Sequence, residues 1–170
     1  VSDILALAHC HYSAGHFSEA QILLDRTKPI FRTPPEIAAW EVFFIQVLLK
    51  RGQIDVAQSI IQTIDGDHRT DVEVLLLNSR AERDGNWQAL GDYLWDHYQQ
   101  TDNPQSLFGH CEIRARQGKW DEVARLARQL AESVGTGEAA RLAITSTFNA
   151  GLTQECLDLI DRYADWFGAG

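Results

Sequence analysis

A chain of 170 residues with 45% apolar content is long enough to bury a sizeable core. Its formal charge of -9 lacks the basic footprint of a nucleic-acid binder. No apolar run approaches the roughly 18 to 20 residues that span a bilayer, because charged or polar residues interrupt even "WEVFFIQVLLKR" at 40–51, so the chain reads as soluble, with no membrane insertion.

In chain order, "SDILALAHCHYSA" carries apolar residues at helical spacing with Ser2 and Asp3 as candidate caps, and "SEAQILLDRT" follows with Ser18 placed to cap. The stretch "TKPIFRTPPE" holds Pro29, Pro34 and Pro35, which call for an extended connection and forbid an early helix start. Four further segments, "EIAAWEVFFIQVLLKR", "TDVEVLLLNSRAERD", "NPQSLFGHCEIRARQ" and "GEAARLAITSTFNA", read as helices, each followed by a glycine and a second helical run. "SVGTGE" reads as a turn capped into the following helix. Alternation at period two never holds over a full segment, so ten helices and no strands are expected: an all-α fold.

The glycines that divide these helix pairs are Gly15, Gly52, Gly85, Gly118 and Gly151, separated by 37, 33, 33 and 33 residues. That period belongs to helical solenoid repeats. At each glycine a backbone with φ above zero is expected to end the first helix of the pair. A hairpin this short cannot bury its apolar face alone, so neighbours must stack and share a core. The units fall at about 1–34, 38–70, 71–103, 104–136 and 137–170, forming one repeat domain.

With Gly15, Phe17 and Ala20 in "GHFSEA", followed by Leu24 and Pro29, the first unit resembles a tetratricopeptide repeat, whose second half reads glycine, any residue, aromatic, two residues, alanine. The equivalents are Gly52, Ile54 and Ala57; Gly85, Trp87 and Leu90; Gly118, Trp120 and Val123; and Gly151, Thr153 and Cys156. The alanine is kept in two units, and the aromatic is lost in the second and fifth. The place that usually holds tryptophan in the first helix has Ile4, Glu41, Val74, Leu107 and Ala140. The resemblance, to a degenerate array, implies a right-handed superhelical solenoid of about five antiparallel hairpins whose first helices line a concave groove.

Carrying groove positions over from that family, counted back from each glycine, gives Leu5, Val42, Leu75, Phe108 and Arg141 ten residues before, and Ala6, Phe43, Leu76, Gly109 and Leu142 nine before. Six before gives His9, Gln46, Ser79, Glu112 and Thr145, and three before gives Tyr12, Leu49, Glu82, Ala115 and Phe148. Two before gives Ser13, Lys50, Arg83, Arg116 and Asn149, so three cations occupy equivalent places in consecutive units. Lys50, Arg83 and Arg116 beside Phe43, Leu75 and Phe108, with His9, Tyr12, Gln46 and Glu112, suit a protein or peptide carrying acidic groups. The competing reading is that cations in a last turn answer the helix dipole, and that the aromatic rings pack between repeats. Leu5, His9, Ala39, Val42 and Phe43 occupy the places where some family members clamp a chaperone's terminal carboxylate, so that clamp is absent.

His9, Cys10, His11 and His16, like His110, Cys111 and Glu112, lack metal-site spacing, because adjacent helical residues point about 100° apart. No phosphate loop or catalytic constellation stands out, so no cofactor and no enzyme activity are implied. The odd number of cysteines, Cys10, Cys111 and Cys156, favours a reducing, cytoplasmic setting. The leading expectation is a protein-interaction scaffold. The alternative is a structural, regulatory or oligomerisation segment of a larger enzyme, since the chain begins at Val1 without methionine and reads as part of a longer polypeptide. Tyr163, Trp166 and Phe167 in the last unit are candidates to cover a further repeat or a second copy.

Overall fold

The computed structural model describes residues 2–64 and 68–167. The capping role expected of Ser2 and the covering role expected of Phe167 lie outside the described side chains. Ten α-helices and no strand occur among the described residues. The chain forms two compact units, residues 1–85 and 86–170. The first holds α1 (Ser2–Ser13), α2 (Phe17–Thr27), α3 (Pro34–Lys50), α4 (Ile54–Ile61) and α5 (Arg69–Asp84). The second holds α6 (Gln88–Thr101), α7 (Pro104–Arg116), α8 (Trp120–Val134), α9 (Gly137–Asn149) and α10 (Thr153–Phe167).

The turn glycines do what their spacing requires. Gly15, Gly52, Gly85, Gly118 and Gly151 all have φ between 69° and 77°, the left-handed region that a residue without Cβ enters at least cost. At four of them the next residue donates its amide back to the first helix: His16 to His11 O, Gln53 to Leu48 O, Lys119 to Arg114 O and Leu152 to Thr147 O, at 2.8–3.1 Å. This is a Schellman closure. The carbonyls of the same four residues accept from Ala20, Ala57, Val123 and Cys156, starting the second helix. A single residue thus ends one helix and begins the next.

That economy corrects the expectation for Ser18. α2 starts at Phe17 with His16 as its N-cap and no side-chain cap bond, because the turn places the helix start two residues too early for a cap at Ser18. The prolines also behave differently from expectation. Pro34 and Pro35 open α3, where a missing amide costs nothing and φ is already helical. The extended backbone is confined to the preceding residues, Phe31 and Thr33 among them, after a 3-10 turn at Lys28–Ile30. Glu36 Oε2 accepts from the amides of Thr33 (3.1 Å) and Arg32 (3.3 Å), and these bonds hold its carboxyl below the ordinary value. "SVGTGE" is a two-step turn as expected: Gly135 (φ 66°) ends α8 and the Thr136 hydroxyl caps α9 at the Ala139 amide.

In the first unit the core joins Ala20 and Leu24 of α2, six apolar residues of α3 from Trp40 to Leu48, Ala57 and Ile61 of α4, and Val72 and Leu76 of α5. Trp40 Nε1 donates to Leu24 O at 3.0 Å, fastening α3 to α2. In the second unit Leu126, Ala127, Leu130 and Ala131 of α8 lie under Ala139, Ala140 and Ala143 of α9. Small residues on both sides let these helices approach closely. Ala20, Ala57, Leu90, Val123 and Cys156, the equivalent positions of the repeat pattern, are all buried.

A Cβ built at Gly118 meets nothing within 4 Å, so Gly118→Ala is expected to lose only the left-handed backbone preference, about 1–2 kcal/mol. Leu24→Ala, at a fully buried site, is expected to lose about 2–5 kcal/mol. Urea unfolding monitored by circular dichroism checks both. An unchanged midpoint for Gly118→Ala contradicts the turn assignment.

Candidate partner-binding site

The first unit carries a cleft of about 510 Å3 lined by Tyr12, Gln46, Leu49, Lys50, Leu75, Asn78, Ser79, Glu82 and Arg83. These residues come from α1, α3 and α5, the first helices of three successive hairpins. The cleft unites five of the ten residues singled out from sequence: Tyr12, Gln46, Lys50, Leu75 and Arg83. Leu49, Ser79 and Glu82 lie on the same register rows. Asn78 was missed, because it falls on none of the rows, standing one residue before that of Ser79; it donates to Glu82 Oε1 at 3.2 Å.

Phe43 does not present a free ring. It is only 3% exposed, stacked on His9 with ring centres 3.8 Å apart and met edge-on by Tyr12 at 5.6 Å. It serves as the buried floor behind Tyr12, with His9 shielding its other side, so Phe43 and His9 support the cleft wall rather than line it. The reading of Phe43 as a groove contact is corrected accordingly: the rings of His9 and Tyr12 cover it.

The three cations differ. Lys50, the last residue of α3, is exposed and forms no salt bridge among the described residues. Arg83 is exposed but paired with its neighbour Asp84, Nε to Oδ1 at 2.7 Å and Nη2 to Oδ2 at 3.0 Å. These hydrogen bonds raise the arginine's pKa and lower the aspartate's. Arg116, in the second unit, lies over the Trp87 ring at 4.7 Å. There the aromatic of the repeat pattern holds a cation by its face.

The second unit has its own depression, about 380 Å3, lined by Phe108, Glu112, Glu138, Arg141, Leu142 and Thr145. It brings together the predicted Phe108 and Glu112. With two carboxylates beside one guanidinium, its lining is more acidic than that of the first cleft. Phe148, on the row three before the glycine, is 68% exposed and was not among the residues singled out from sequence.

Of the histidine and cysteine stretches, the one at His110 and Cys111 is buried, whereas Cys10 is exposed. His110 is buried, and its Nδ1 lies 2.8 Å from Gly91 O; a carbonyl only accepts, so that nitrogen carries the proton. Arg114 reaches Gln88 and Gln117 at 3.0 Å and Asp92 at 3.1 Å. Cys111 is fully buried; burial first, then Glu122 and Glu112, pushes its thiol up to about 12. Among the described residues no group of three His, Cys, Asp or Glu side chains is placed to hold a metal ion. No described helix is long and apolar enough to cross a membrane.

No protein-family model and no curated protein matches the chain. Solved structures do. The chain is similar to TTC0263, a thermophilic TPR protein of Thermus thermophilus, with a TM-score of 0.58 and 15% identity over 99% of this chain and 92% of that one. It is similar to YrrB, described as a TPR protein with an unusual peptide-binding site, with a TM-score of 0.58 and 13% identity over 98% and 86%. A MamA structure, MSR-1 C2, gives a TM-score of 0.58 and 15% identity over 96% and 94%.

Cys111 generates a test with a definite sign. The native thiol keeps its proton to about 12, whereas the unfolded one loses it near 9.0. Above pH 9 the unfolded state therefore binds fewer protons, and stability falls as pH rises, by up to about 1.4 kcal/mol per pH unit. Urea unfolding at pH 8, 9 and 10 should show this loss, with a flatter profile in Cys111→Ala; equal profiles contradict it.

Proposed function

Starting from a tetratricopeptide-repeat-like fold, we propose that the chain is a non-catalytic scaffold that holds an acidic protein or peptide segment in the cleft of α1, α3 and α5. The observation that carries this reading is the lining of that cleft: apolar Leu49 and Leu75 and the amphipathic Tyr12 beside the exposed Lys50 and Arg83. Apolar side chains of a partner would settle on the leucines and the tyrosine ring, while carboxylates orient toward the cations. Gln46, Asn78 and Ser79 supply hydrogen-bonding groups for a backbone. Glu82 lies in the same cleft and disfavours a partner segment that is acidic throughout, so acidic residues spaced among apolar ones fit best.

The division of labour among the cations follows from their partners. Lys50 gives the most charge to a ligand because no salt bridge among the described residues engages it. Arg83 must share its guanidinium with Asp84, and Arg116 is held by Trp87. The last hairpin adds a second contact surface, and we propose self-association through it: Trp166 is exposed on α10 together with Leu157 and Ile160, whereas Tyr163, expected at this surface, is buried in the core of the second unit and cannot contribute.

Selection of peptides from a random library on the immobilised protein is expected to enrich apolar segments with interspersed acidic residues. Lys50→Glu should weaken the selected peptide about tenfold, roughly 1.4 kcal/mol, more at low salt than at high. Tyr12→Ala should weaken it without that salt dependence. Retention of full affinity by a folded Lys50→Glu, Tyr12→Ala double variant excludes the cleft.

A further inference from the structure

The second unit carries a continuous depression that begins where α6 gives way to α7. Asp102 caps α6 with φ 54°, the one described residue other than glycine in the left-handed region, and Pro104 opens α7 directly after the Asn103 cap. Against this turn lies the next, where Gly135 ends α8 and Thr136 caps α9. Between them is a hollow of about 320 Å3 walled by Asp102, Pro104, Leu107, Leu130 and Val134. Pro104, Leu130 and Val134 also line a narrow neck of about 60 Å3 that ends on Phe108 and Glu138, and those two residues border the 380 Å3 depression between α7 and α9. The hollows share walls and form one track. Along α7 it runs from Pro104 to Glu112, about 12 Å, which is the reach of about four residues of extended chain. Each of the helices that wall it, α6 to α9, has a helix before and after it in the chain.

The track is apolar along its length and acidic on its rim. Phe108, Val134 and Leu142 are half-buried in it, whereas Asp102, Glu112 and Glu138 are exposed. None of these three carboxylates forms a salt bridge among the described residues. Arg141 is the one cation among the described residues that line the track, so negative charge is in excess. Glu138, in the first turn of α9, answers that helix's dipole. Asp102 has no such justification. It stands at the negative end of the α6 dipole, where a carboxylate is disfavoured, and in backbone that glycine adopts at less cost. Its carboxylate is bonded to the Tyr98 hydroxyl, which accepts in turn from Gln129 Nε2 at 3.3 Å. The side chain is thereby held at the mouth of the track, where a bound cation would offset both costs.

We infer that the second unit docks an extended polypeptide segment in which lysine or arginine alternates with apolar residues. Its apolar side chains rest on Phe108, Val134 and Leu142, and its cations meet Asp102, Glu112 and Glu138. The same carboxylates repel an acidic segment. This preference is the reverse of that proposed for the cleft of α1, α3 and α5, so the two sites sort segments by charge.

Fluorescence anisotropy tests this with two short labelled peptides, one alternating lysines with leucines and serines, the other with glutamate in place of lysine. A variant carrying Asp102→Asn, Glu112→Gln and Glu138→Gln should bind the lysine probe roughly tenfold more weakly than the wild type, the size expected of three exposed charge contacts. Its hold on the glutamate probe should not weaken. Asparagine is accepted in left-handed backbone, and circular dichroism confirms the fold. A second variant, Asp158→Asn, Asp161→Asn and Asp165→Asn, removes the same amount of charge from exposed positions on α10 and should bind the lysine probe as the wild type does. A wild type that does not bind the lysine probe, or a track variant that binds it undiminished, overturns the assignment. Equal weakening in both variants also overturns it, because attraction to the net charge of -9 then accounts for the binding.

Discussion

The contact on which the architecture depends is the one between the second helix of a hairpin and the first helix of the next. It is made in different chemical ways at successive junctions. In α2 and α3 it is an indole bonded to a helix carbonyl, Trp40 to Leu24. In α6 and α7 it is an imidazole on the carbonyl of Gly91, with the Arg114 network beside it. In α8 and α9 it is alanine against alanine. A hairpin cannot hide its apolar stripe by itself, so each borrows cover from its neighbour, and the chemistry used is free to vary as long as the space is filled. The absence of any protein-family model match, beside clear structural similarity at 13–15% identity, follows from that freedom.

The turns are less free. A left-handed glycine followed by a residue whose amide closes one helix and whose carbonyl opens the next leaves little room for insertion, and the pattern recurs at Gly15, Gly52, Gly118 and Gly151. Gly85 keeps the left-handed conformation with the simpler bond from its amide to Ala81 O. Because the turn fixes where the second helix begins, it also fixes that the fifth residue after the glycine faces inward. That position is buried whether it is Ala20, Leu90 or Cys156.

These two constraints explain what could be read from the sequence. The glycine period and its helix pairs were legible because left-handed backbone admits few residues. The cleft was legible in large part because register from the glycine decides which side of a first helix faces inward. Register gives direction, however, and not depth. Phe43 points toward the groove side but is covered by His9 and Tyr12, since the distance between α1 and α3 is set by side chains distant in sequence. Asn78 was missed for the opposite reason, lying just off the rows yet reaching the cleft edge. Ser18 and the prolines were misjudged because their usual helix-boundary preferences yield to a turn already closed by backbone and to a helix start that tolerates proline.

The functional reading follows from where covering contacts stop. Along the first helices of the first unit they leave a cleft edged by an exposed lysine; between α7 and α9 of the second unit they leave a depression with a more acidic lining. The most direct measurement of the central claim, that neighbouring hairpins stabilise one another through this repeated junction, is native-state hydrogen exchange resolved by helix in dilute solution. The account predicts slowest exchange in α3 and α8, covered on both sides, and faster exchange in α1 and α10, each packed against a neighbouring hairpin on one side in this sequence. Equal protection of all ten helices would contradict it.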